Sequence, residues 1–210
     1  MADTVADTPK RVRRTQAERR AESRQALLTA AAAHLSHGGY ANLNLDDVAA
    51  DAGYTRGALY YQFPNKQALA LAAIDREYRY WQREVGAPAL SDPDPAHALV
   101  ELARNNAIFC RRPVARLIVT LRHEFHDRSD PIGDVVHDIT DKGIAFFAAL
   151  ITSAQDSRAI SSITDPHTLA TALFGTLEGI AMALANQPPH DEQIAQDLTY
   201  TILNPPQRPT

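Results

Sequence analysis

Arg56 is the residue with the most pointed chemistry in this chain. A guanidinium carries five N–H donors in a rigid fork and can bridge O6 and N7 of a guanine from the DNA major groove. Arg56 falls in the first turn of a predicted short helix, the position from which a recognition helix reaches base edges. Thr55 before it can cap that helix, and its hydroxyl with the free N–H groups could meet a phosphate. Gly57 costs ~1 kcal/mol against Ala inside a helix, which suggests that backbone must approach a partner closely there. Tyr61 would face base edges or sugar, although one tyrosine of the pair Tyr60-Tyr61 could instead pack under the helix. Lys66 starts the next helix, where an ammonium and free N–H groups can hold a phosphate together.

A second kind of chemistry would need histidines. His34 and His37, and His123 and His126 in the run HEFHD, are spaced i, i+3, and such a pair on one helix face can bind a metal. Nothing completes a catalytic set: there is no HExxH, no cysteine cluster, no phosphate-cradling glycine loop and no Gly-x-Ser-x-Gly. A metal-dependent helical enzyme using His123 and His126 is therefore the weaker alternative, and no cofactor or metal is implied. The lone Cys110 excludes an intrachain disulfide and suits a reducing cytoplasm. No apolar run approaches the ~20 residues that span a bilayer, and the polar, basic N-terminus has no apolar core of a secretion signal.

The elements that must position Arg56 are legible between residues 44 and 66. Asn44 can cap a helix whose Leu45, Val48, Ala49 and Ala52 share one face. Gly53 stops that helix without a Cβ penalty, and Thr55 caps the next. Leu43 with Val48, and Tyr54 with Leu59, are hydrophobic staples that set the entry angle of both helices. Two short helices joined this tightly form a helix-turn-helix. Such a pair cannot bury its own apolar faces. A preceding helix opened by the capping box Thr15-Gln16-Ala17-Glu18, with Leu27, Leu28, Ala31 and Leu35 on one face, would cover it and end at Gly38-Gly39.

Net charge is −4 over 210 residues, which taken alone argues against a nucleic-acid partner. The distribution of charge points the other way. Residues 1–66 hold nine Lys/Arg against seven Asp/Glu, and 10–24 alone hold seven against two, whereas the remainder is −6. A basic arm and head on an acidic body is the asymmetry expected of a DNA-binding module on a domain that avoids DNA. The run KRVRR, with Arg13 and Arg14, would on its own suit a solvated tail equally well.

Residues 55–66, TRGALYYQFPNK, with LDDVAADAG before them at 45–53, closely resemble the DNA-binding signature of the tetracycline-repressor (TetR) family. The resemblance covers about 26–72; the rest agrees in helix count and order. It implies a homodimeric, one-component transcriptional regulator, usually a repressor, released from operator DNA by a small molecule; an activator of the same fold is the alternative. It assigns Tyr60 the role of a phosphate-contacting tyrosine. Two departures matter. Gln62 stands where relatives often carry His, and Asp46 and Asp47 stand where relatives often have Thr, Arg or Glu. Both acids suit the helix dipole but repel phosphates, so the arm is expected to carry more of the electrostatic affinity.

The predicted fold is all-α with about nine helices. Its parts are a basic flexible arm over 1–14, a helix-turn-helix domain over 15–66 (motif 44–63), a ligand-binding and dimerisation domain over 67–204, and a tail over 205–210. A long helix from Asn65 to about Val85 stiffly bridges head and body, and the breakers of 86–95 form a loop. Asp94-Pro95, Asp130-Pro131 and Asp165-Pro166 each read as a cap followed by a first-turn proline. In the helix from Pro166, the small residues Gly175, Gly179 and Ala183, with Ile194, Leu198 and Ile202 of the last helix, suggest a four-helix dimer seam; close packing within one subunit is the other reading. A pocket for an apolar or aromatic ligand would draw on Trp81, Phe109, Phe125, Phe146, Phe147 and Met182, with Asn106, His123 and Glu178 to orient it.

Overall fold

The computed structural model describes residues 15–126, 129–161 and 163–204. The predicted arm, with Arg13 and Arg14, and the predicted tail lie outside the described residues. Among those described, every element is helical. They are α1 (Gln16–Gly38), α2 (Leu45–Asp51), α3 (Arg56–Gln62), α4 (Lys66–Trp81), α5 (Ala87–Ser91), α6 (Pro95–Cys110), α7 (Leu117–Glu124), α8 (Pro131–Asp156), α9 (Pro166–Leu184) and α10 (His190–Leu203).

The predicted starts hold at atomic detail. Thr15 and Glu18 form both bonds of the capping box, at 2.7 and 3.2 Å. Asn44, Thr55 and Asn65 accept from the backbone N–H groups of Asp46, Ala58 and Ala68. Asp94, Asp130 and Asp165 cap the three proline-led helices. The helix after Pro113, expected over 114–127, is shorter, Leu117–Glu124, and a larger difference follows α4. The chain does not open into a loop at Gly86 but continues through a π-helical turn, Gln82–Gly86, into α5. Pro88 falls in the first turn of α5, directly after the π-helical turn. Buried Val85 and Gly86 hold the turn, with Gly86 against the Trp81 ring.

Two apolar cores divide the molecule, and their boundary is not the one the sequence suggests. Leu27, Leu28, Ala31 and Leu35 of α1, Val48, Ala49, Leu59 and Phe63 of the two short helices, and Leu69 and Ala73 of α4 form the head's core as expected. Leu117 and Leu121 of α7 and Ile132 and Val136 of α8 belong to the same cluster. The head is therefore sealed by elements of the body. The second core gathers α5, α6, α8, α9 and α10. There Arg111 binds the buried Asp191 in a two-pronged pair at 2.7 and 3.0 Å, and its hydrogen bonds hold that carboxyl below the ordinary carboxylate range against the cost of burial. α9 is long and apolar enough to cross a membrane by length and composition alone, unlike the sequence-based expectation. Here Leu169, Leu173, Leu177 and Ile180 pack inward against the body.

The sharpest junction between head and body is Glu124, the last residue of α7. Its carboxylate accepts from the backbone N–H groups of Tyr40 at 2.6 Å and Ala41 at 2.7 Å, just after α1. Gly39 makes this approach possible: its φ is +71°, and a Cβ there would collide with the Glu124 carboxylate. Phe125 packs on the Tyr40 ring at 5.8 Å between centroids. Glu124→Ala leaves two N–H groups to find other partners and should cost about 2–4 kcal/mol, from charge-assisted bonds of this kind. Urea unfolding measures it, and a change below about 0.5 kcal/mol would show that the turn holds without the clamp.

Candidate functional site

α3 is locked by one face and bare on the other. Leu59 is fully buried and Phe63 nearly so. Gln62, half-buried, donates from Nε2 to Ser23 Oγ of α1 at 2.7 Å, which fixes the end of α3 to α1. The opposite face carries Arg56, Gly57, Tyr60 and Tyr61, all exposed, with Tyr60 at 41% and Tyr61 at 71%. Neither tyrosine packs under the helix. A Cβ on Gly57 would meet only Thr55 Oγ1, at 3.9 Å, so the fold itself leaves room for a side chain there.

The cations around this face are held in different ways. Arg56 Nη1 donates to Asp46 Oδ2 at 3.1 Å, and its guanidinium lies over the Tyr60 ring. Arg20 of α1 lies 5.3 Å from the Tyr61 ring centroid, which brings the basic start of α1 beside the bare face of α3. Lys66 is less free than its position in sequence suggests: its Nζ donates to the Ala41 carbonyl at 3.0 Å and sits over the Tyr40 ring. Thr55 and Asn44 spend a side-chain oxygen on capping.

His34 and His37 are each engaged with another group: His34 Nε2 bonds Asp51 and His37 Nδ1 bonds the Ala33 carbonyl, while His123 is exposed. Among the described residues no group of three or more His, Cys, Asp or Glu is placed to hold a metal.

A cavity of about 130 Å³ lies in the body between α4, α6, the first turn of α7, α8 and α9. Of the residues predicted for it, Trp81, Asn106, Phe109, Phe147, Glu178 and Met182 line it. His123, Phe125 and Phe146 do not. His123 points to solvent on α7, Phe125 is spent on Tyr40 in the head's core, and Phe146 stacks behind Trp81 and Phe147. Tyr78, Cys110, Ile118, Gly143 and Phe174 line it without having been singled out. Apolar spacing marks such residues as inward-facing and does not separate wall from core.

Glu77 and Glu178, the two acids of the lining, are paired with arginines, and Arg116, its cation, is exposed. Arg122 pairs with Glu178, and burial pushes the Cys110 thiol up to about 12. Trp81 Nε1 donates to Asn106 Oδ1 at 2.9 Å. An indole N–H can only donate, so this bond fixes the carboxamide with its oxygen toward Trp81 and leaves the Nδ2 donor for another acceptor.

On α9 and α10 the predicted small-residue face is bare. Gly175, Gly179 and Ala183 are exposed, and a Cβ on either glycine would meet nothing within 4 Å. Leu198 is exposed beside them, and Ile194 and Ile202 are half-buried.

The model of the bacterial regulatory proteins of the tetR family matches residues 27–73. The HTH-type transcriptional regulator EthR of Mycolicibacterium smegmatis is 30% identical over 172 residues, 79% of this chain and 77% of that protein. The HTH-type transcriptional repressor BepR of Brucella suis is 29% identical over 174 residues, 80% of this chain and 82% of that one. Among solved structures, AibR in complex with isovaleryl coenzyme A and operator DNA superposes with a TM-score of 0.72 at 21% identity, covering 88% of this chain and all of that one. The bare reading face of α3, its position in the matched head and the extent of these likenesses agree: the chain belongs to the tetR family of bacterial regulatory proteins.

Proposed function

We propose that this protein is a one-component transcriptional repressor, resident in the cytoplasm, that binds a palindromic operator as a homodimer and is released when a small apolar or aromatic effector enters the body cavity. The observation that carries the DNA reading is the division of α3, with one face pinned to the head's core and the other presenting Arg56, Gly57, Tyr60 and Tyr61 to solvent. Arg56 reads base edges, Gly57 lets backbone approach, and Tyr60 and Tyr61 contact phosphate, sugar or base edges. Thr55, Asn44 and the arm residues Arg13 and Arg14 add backbone contacts. Lys66 acts mainly by fixing the Ala41 turn. The operator complex of AibR supports the docking mode. Gel shift against the chain's own upstream DNA should show a preferred complex that weakens steeply with salt. Arg56→Ala should weaken it by about 1–3 kcal/mol and flatten base preference; an unchanged preference would remove Arg56 as the reader.

A single head covers one half-site, and a two-fold dimer sets two heads ~34–36 Å apart on one DNA face. The bare small-residue face of α9, with Ile194, Leu198 and Ile202 of α10, is the surface best suited to a second copy, because the missing side chains let helices approach closely. Gly179 is exposed, and a side chain started there meets nothing within 4 Å of its Cβ, so Gly179→Trp projects from this face. It should leave the fold intact by circular dichroism yet convert a dimer to a monomer in light scattering; a persisting dimer would place the seam elsewhere.

The cavity suits an uncharged, mostly apolar effector bearing one hydrogen-bond acceptor for Asn106 Nδ2. The isovaleryl coenzyme A of AibR shows that a neighbour in fold accepts a small molecule with an acyl group. Trp81 is the chain's one tryptophan and lines the cavity, so its emission reports occupancy. Acetophenone should perturb that emission at lower concentration than benzoate. Asn106→Leu should weaken the ketone roughly tenfold, the loss of about one hydrogen bond. Benzoate binding as well as the ketone would overturn the neutral-effector reading.

A further inference from the structure

We propose that Asp46 is a specificity-determining residue of the DNA site, which positions Arg56 for a guanine edge and disfavours its use on phosphates. This rests on the reading of α3 as the base-reading helix.

Between residues 44 and 65 Arg56 is the one basic residue, against Asp46, Asp47 and Asp51. A motif meant only to hold a polyanion would not be built with that balance. Asp51 is occupied by His34 at 2.8 Å. Asp46 instead reaches across the turn, from the first turn of α2 to the first turn of α3, and accepts from Arg56 Nη1 at 3.1 Å. Both ends are anchored. The Asp46 backbone N–H is held by Asn44 Oδ1, and the start of α3 is held by Thr55. The Tyr60 ring closes the other side of the guanidinium at 5.4 Å.

Donor arithmetic gives the pair its consequence. A guanidinium has five N–H donors, and Asp46 engages one nitrogen. Guanine O6 and N7 need two more in one plane, which the remaining edge supplies while the Asp46 bond persists. A phosphate can accept from the same edge, but it brings a second anion up to the Asp46 carboxylate, which a neutral guanine edge does not. The pair thus costs little in a matched complex and more in an unmatched one, which is how discrimination is built by disfavouring the wrong partner. Stability does not account for it. The two side chains are 64% and 53% exposed, and an ion pair so hydrated contributes almost nothing to folding.

The test measures the full chain on two duplexes at one salt concentration: its preferred upstream site and a scrambled duplex of equal composition. The variants are Asp46→Ala, Asp46→Asn, Arg56→Ala and the double Asp46→Ala/Arg56→Ala, with unfolding midpoints as the control for folding. Asp46→Ala should lower the ratio of preferred to scrambled affinity by roughly tenfold, the discrimination one bidentate arginine carries. Most of that change should come from tighter binding to the scrambled duplex. Asp46→Asn, which keeps an acceptor without the charge, should retain part of the ratio. In the Arg56→Ala background, removing Asp46 should leave the ratio unchanged. A simple charge effect makes a different prediction: both duplexes gain equally, with no change in ratio in either background, and that result would overturn the proposal. So would an equal fall in ratio with and without Arg56. A wild-type chain that does not distinguish the duplexes would instead remove the base-reading role of α3.

Discussion

The head of this protein cannot close its own core. Two seven-residue helices, α1 and α4 supply only part of the head's apolar cluster, and Leu117, Leu121, Ile132 and Val136 complete it. Burying a large aliphatic side chain is worth ~1.5–3 kcal/mol, so these four side chains bind the body to the head with an energy comparable to a small domain's net stability. Head and body are joined through α7 and α8 as well as through α4. The geometry of the reading face therefore depends on residues remote from it in the chain.

That dependence has a direction. The first turn of α7 lines the body cavity and its last residue, Glu124, grips the turn after α1. Under the proposed function, a short helix that lines the effector's cavity at one end and holds the head at the other would act as a lever, since packed interiors transmit displacement and do not absorb it. α4 offers a parallel route: Tyr78 and Trp81 line the same cavity, and Lys66 at its start holds the Ala41 carbonyl that Glu124's partners adjoin. Both routes meet at residues 39–41. In the proposed dimer, a small displacement at the cavity would change the angle at which α3 is offered to DNA, and two heads on one duplex would tolerate little such change.

Electrostatics in the head separate affinity from selection. In the proposed complex, long-range attraction would come from the basic start of α1, of which Arg20 stands beside Tyr61. The motif itself is acidic, with its arginine tethered. Phosphate attraction alone would hold any DNA; an arginine restrained by a carboxylate is better suited to choosing among sequences.

Much of the head was legible because its determinants are local. Asn44, Thr55 and Asn65 cap helices within three residues of themselves, Gly53 takes its φ of +75° in place, and the staples of Leu43 and Tyr54 span one turn. The proline-led starts of α6, α8 and α9 are local in the same sense. Hydrophobic period likewise told which faces of α1 and α2 turn inward. Folding in three dimensions decided what no local rule contains. Glu124 meets Tyr40 across 84 residues, Asp46 meets Arg56 across a turn whose angle the whole head sets, and Phe125 and Phe146 go to cores while Phe174 goes to the cavity wall. An apolar face in sequence says only that a side chain leaves water. Whether it meets another side chain or an open space depends on the crossing of helices that the chain brings together from far apart.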